Sequence, residues 1–167
     1  MRGALPLIWL LGCSEEPIET PAPILPPCHS DTLSIDAAPS RGAFGDLLGG
    51  SLWCGNPPQG GAPYSPLRLR LEGSSGWSAG MFLELIATDL ADGTELAYTA
   101  LEMGLVCANV GESEGSWVGS EAHMRYDGRT LDDLEGRTAE LTVRAAALEG
   151  DEQVEASWWV DLVLDPP

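Results

Sequence analysis

The sequence predicts an all-β protein, an antiparallel β-sandwich of about 7–9 strands. Three observations carry that expectation. Apolar and polar residues alternate with a period of two over most of the chain after Cys28, the pattern of strands that bury one face. Turn-forming clusters such as Gly73-Ser74-Ser75-Gly76, Asp92-Gly93 and Asp127-Gly128 separate those runs. Helical patterning is confined to Phe44–Leu48 and Leu131–Glu135, barely one turn each. Short strands with turns roughly every 8 to 12 residues argue for two packed sheets.

Taken in order, Leu33–Ala37 is the first short run. In the next, Leu67, Leu69 and Leu71 alternate with Arg68, Arg70 and Glu72. Met81–Thr88 and Leu96–Met103 are apolar on both faces in places and are joined by Asp89-Leu90-Ala91-Asp92-Gly93-Thr94, so they read as paired interior strands. Leu105–Val110 follows. Val118, Ala122, Met124 and Tyr126 then alternate with Trp117, Glu121, His123 and Arg125. Ala139, Leu141, Val143, Ala145 and Ala147 alternate with Thr138, Glu140, Thr142 and Arg144. The link Glu149-Gly150-Asp151-Glu152 is a hairpin turn leading into the clearest strand of all. There Val154, Ala156, Trp158, Val160, Leu162 and Leu164 share one face, and Trp159 and Val163 interrupt the polar one. The pattern resembles immunoglobulin-like and fibronectin-like modules, although the Cys-Trp-Cys spacing of antibody domains is absent.

Composition narrows the possible partners. The 167 residues carry 8 basic and 26 acidic side chains, a net charge of -18, and all the cations are arginine. That charge excludes nucleic acid as a partner. A hydrophobic content of 44% is that of a folded domain and not of an acidic disordered tail.

The N-terminus carries the strongest signal. Arg2 precedes an apolar run from Ala4 to Leu11 that is far too short to span a bilayer as a helix. The tetrad Leu10-Leu11-Gly12-Cys13 resembles the lipobox of bacterial lipoproteins. The resemblance implies cleavage before Cys13, acylation of that cysteine, and a mature chain that has lost Arg2 and carries -19. Ser14 rather than aspartate after the cysteine leans toward the outer membrane, on the periplasmic face or the cell surface. Residues 1–12 are thus expected to be a signal peptide. Residues 13–30 form a lipidated tether, and 31–165 the sandwich. Ser14–Pro27 holds five prolines in fourteen positions. As polyproline II, at about 3.1 Å per residue, it would lift the domain up to roughly 40 Å from the lipid.

Three cysteines remain after the lipid carrier. In an oxidising compartment they allow three single pairings. Cys54 with Cys107 is favoured because both lie in apolar runs, and Cys28 with Cys54 is the alternative because it would pin the start of the domain.

The chemistry-bearing residues are sparse. Two histidines, His29 in the linker and His123 on a strand's polar face, do not assemble a Ser-His-Asp site, and carboxylates are too abundant to signal a glycosidase pair. No enzyme activity, cofactor or zinc site is expected. Asp89, Asp92 and Glu95 around Gly93 offer oxygen ligands for calcium as an alternative to a plain hairpin turn. Trp77, Trp117 and Trp159 fall in turns or on polar faces, where aromatics either cap the core or stack against a sugar or protein partner. Trp158 belongs to the core. The expectation is therefore a membrane-anchored envelope protein with a structural or protein-binding role; a calcium- or carbohydrate-binding surface module is the alternative.

Overall fold

The computed structural model describes residues 28–73, 75–109 and 111–164, so Cys13, the signal segment and most of the tether lie outside the described residues. Ten strands, some 3-10 turns and one short helix form two facing five-stranded sheets. The first sheet contains β1 (Ser34–Pro39), β3 (Tyr64–Glu72), β6 (Leu105–Cys107), β7 (Trp117–Gly119) and β8 (Ala122–Arg125). Its order is β1-β3-β7-β6, with β8 pairing the other half of the same β3 edge. The second sheet has the order β2-β10-β9-β4-β5, where β2 is Ser51–Cys54, β4 Met81–Asp89, β5 Glu95–Met103, β9 Thr138–Ala147 and β10 Gln153–Leu164.

The alternating patterns become the two inner faces. Leu67, Leu69 and Leu71 of β3 are fully buried, as are Leu83 and Leu85 of β4, and Leu141 and Val143 of β9 face the same core. Burial of such side chains contributes about 1.5–3 kcal/mol each relative to exposure. The hairpin joining β9 and β10 closes where expected, with the Ala147 amide donating to Glu152 O. Helix α1 (Leu131–Leu134) is set by a capping box in which Thr130 and Asp133 satisfy each other's backbone amides.

Three features differ from the sequence reading. β2 is a short edge strand that pairs parallel to β10, so the sandwich is antiparallel except at that edge. β5, expected as an interior strand, is the other edge of the second sheet. The run through Val118 and Tyr126 is two strands, and the break at Ser120-Glu121 shifts the alternation by one residue. Trp117 therefore points inward in β7 while Ala122 and Met124 point inward in β8.

The disulfide joins Cys28 to Cys107, with Cα atoms 5.7 Å apart, and Cys54 is a free, buried thiol. Neither the favoured Cys54–Cys107 pair nor the alternative Cys28–Cys54 forms. Strand register gives the reason. Cys107 lies opposite Trp117, which lies opposite Leu71, whereas Cys54 contacts Ser65 at the other end of β3. Six residues of strand separate those levels, roughly 20 Å. Cys28 reaches Cys107 because the segment after it runs beside the end of β3, where the Ser30 amide donates to Gly73 O.

Candidate functional site

Most of the residues singled out from the sequence are structural. Trp77 sits on the 3-10 turn Ser75–Ala79 and is fully buried as a plug at one end of the core. Its indole approaches Gly73 so closely that a Cβ there would lie 2.6 Å from Nε1, and Gly73 also has a φ of +148°. Trp117 is 5% exposed. These two tryptophans are core residues and do not face a partner, which corrects two of the three binding candidates. The third, Trp159, is 66% exposed. Trp158 packs in the core.

Asp89 is buried, and its two oxygens are already engaged. One accepts from the Ala91 amide at 2.8 Å and the other pairs with Arg137. Asp92 accepts from the Thr94 amide at 2.8 Å, and the Thr94 side chain together with that amide holds its carboxyl below the usual range. Glu95 is exposed at the start of β5. Among the described residues no group of three or more His, Cys, Asp or Glu is gathered for a metal ion, so the alternative calcium trio is not assembled. The acids close a hairpin turn, as their Asx contacts require.

Cys54 anchors a buried polar chain that no local pattern of residues signals. Its Sγ lies 3.4 Å from Ser65 Oγ, which is 2.9 Å from Tyr126 Oη. Burial pushes the Cys54 thiol up and the Tyr126 phenol well up, so both are held neutral. Nothing exposes this chain to a substrate, and it serves to satisfy three polar groups inside the sandwich.

The surface that stands out is the outer face of the second sheet. The exposed Trp, Tyr and Phe side chains among the described residues are Trp53, Phe82, Tyr98 and Trp159, and the strand registers place all four on this face. Trp159 is opposite Glu140 and next to it on β10 stand Ser157 and Asp161. With Leu48, 77% exposed, and Gly49, it lines a shallow apolar groove. The same face carries Glu84, Glu95, Glu102, Glu140, Glu155 and Asp161 against one cation, Arg144. Arg144 donates to Glu155 at 2.5 Å, which raises its already high pKa. Tyr98 donates to Glu84 at 2.7 Å, and that bond raises the phenol's pKa.

The opposite face has another character. Arg68 and Arg70 of β3 lie over the Phe44 ring, with guanidinium carbons 5.1 and 4.4 Å from its centroid, and Arg70 pairs with Asp36. At the edge where the two sheets meet, near the start of β3, a groove of about 390 Å³ is lined by Trp53 of β2 with Tyr64, Arg41 and Glu121. The Tyr64 ring packs against His123 in a tilted arrangement, centroids 4.7 Å apart, and His123 pairs with Glu121. Sequence alternation identified most strands of both faces, β2 excepted, but not which charges they would collect. That grouping depends on strand order.

No helix among the described residues is long and apolar enough to cross a membrane. No known protein family and no curated protein matches the chain. Among solved structures, the CooA pilin subunit from enterotoxigenic Escherichia coli aligns over 80% of this chain and 99% of its own, at 13% identity and a TM-score of 0.36, a likeness too slight to carry an argument.

Proposed function

We propose that this chain is a lipid-anchored protein of the cell envelope whose β-sandwich has a non-catalytic, structural or protein-binding role. One observation carries the reading: the order in which a lipobox-like Leu10-Leu11-Gly12-Cys13 and a proline-rich spacer lead directly into a folded β-domain at Cys28. The disulfide between the buried Cys28 and the half-buried Cys107 at that junction favours an oxidising compartment. The engaged state of the polar candidates favours a role without catalysis. Asp89 is held by Arg137, Glu121 by His123, and Cys54 by Ser65. Lipid chains on Cys13 would hold the protein at the membrane, since one chain binds marginally and several bind firmly. The strong net negative charge, -18 before cleavage, would keep the domain off anionic head groups.

Mass spectrometry of the membrane-extracted protein tests the anchor. The expected result is an N-terminal peptide that begins at an acylated Cys13, lost from the membrane fraction in Cys13→Ser. A peptide that retains Met1, or an unmodified Cys13, refutes the reading.

A further inference from the structure

We propose that the outer face of the second sheet is a docking surface for an arginine- or lysine-rich polypeptide segment. The proposal rests on the reading that the domain binds a partner, and is independent of whether Cys13 carries lipid. Soluble proteins seldom gather exposed aromatics on one sheet face without a partner for them. Here Trp53, Phe82, Tyr98 and Trp159 are all at least 40% exposed and share one face. Charge complementarity selects the occupant. Six carboxylates and one guanidinium are interleaved with those rings, so the face offers ring surfaces for cation–π contact beside carboxylates for ion pairing. Trp159 shows the unit of recognition. A cationic side chain seated over its indole would lie within reach of Glu140 across the strand pair and of Asp161 two residues on, with Leu48 flanking the stem. A second copy of this chain fits less well, because two bodies of -18 repel.

The test uses the full chain in non-ionic detergent, with octa-arginine and octa-lysine peptides as probes and tryptophan fluorescence and calorimetry as readouts at about 50 mM salt. Binding is expected to fall as salt rises through the range where the Debye length shortens to about 8 Å. Trp159→Ala, which changes no charge, should weaken it about two- to fivefold, the effect of one exposed cation–π contact. The triple variant Glu84→Gln/Glu140→Gln/Asp161→Asn should weaken it at least about tenfold, or roughly 1.4 kcal/mol. Glu114→Gln/Glu121→Gln/Glu135→Gln removes the same charge elsewhere and should have a clearly smaller effect. Equal losses from the two triples would mean a diffuse attraction to an acidic protein and would overturn the proposal. So would an unchanged affinity in Trp159→Ala, a salt-independent fluorescence shift with a neutral polysaccharide, or dimerisation without probe that buries Trp159.

Discussion

Replacing Cys28 and Cys107 together by alanine tests the link between register and covalent structure. The bridge closes a segment of 79 residues. In the chain-entropy treatment, the constraint it places on the unfolded chain is worth about 4.5 kcal/mol at 25 °C for a loop of that size. For a domain of this length, each kcal/mol moves the melting point by about 3 to 4 °C, so Cys28→Ala/Cys107→Ala should melt roughly 15 °C below the parent. The assay is urea unfolding followed by tryptophan fluorescence, with non-reducing mass spectrometry to establish the pairing. Cys54→Ala is the control. It keeps the bridge and loses only a thiol contact to Ser65, with a cost of about 1–2 kcal/mol. Should the double variant unfold within about 1 kcal/mol of the parent, or Cys54→Ala abolish the cross-link, the placement of Cys28 beside β6 is wrong.

Trp77→Ala should cost about 3–5 kcal/mol in urea unfolding because a fully buried indole is removed, whereas Trp159→Ala should stay within about 0.5 kcal/mol; equal effects would contradict the assignment of one to the core and the other to the surface. Arg137→Met leaves the Asp89 carboxylate buried beside a single amide donor, and since Arg137 is 37% exposed the expected loss is about 2–3 kcal/mol. An unchanged melting point would show that the pair contributes nothing. Tyr126→Phe takes one partner from Ser65 and should destabilise by about 1–2 kcal/mol in the same assay. Alkaline pH should expose the buried thiol. Because the folded protein holds Cys54 protonated, its contribution is complete below the ordinary thiol pKa and is lost as pH rises through the higher folded value. Cys54→Ala should therefore delay the onset of alkaline destabilisation, and a thiol reagent at pH 8 should modify Cys54 only once the protein unfolds.

Much of the fold is legible in the alternation itself. Leu67, Leu69 and Leu71, and the run from Val154 to Leu164, announce their inward faces because a strand's side chains reverse direction at every residue. The phase of the pattern failed at Trp117, where two residues outside any strand separate β7 from β8 and reverse which parity faces the core. Trp77 was equally opaque: a tryptophan in a glycine- and serine-rich turn reads as exposed until the turn folds back over the open end of the sandwich. β2 escaped notice because four residues give too short a period to distinguish a strand from a loop.

What the sequence determined by itself is local: the strand periods, the hairpin turns, the single helical turn near Leu131, and the acidic composition. Each follows from groups a few residues apart. The tertiary structure alone decided which cysteines meet, which tryptophans are covered, and that the carboxylates and exposed rings of β2, β4, β5, β9 and β10 share one face. Those depend on strand order and register, which bring together residues as distant as Trp53 and Val163 through pairings that no local pattern encodes.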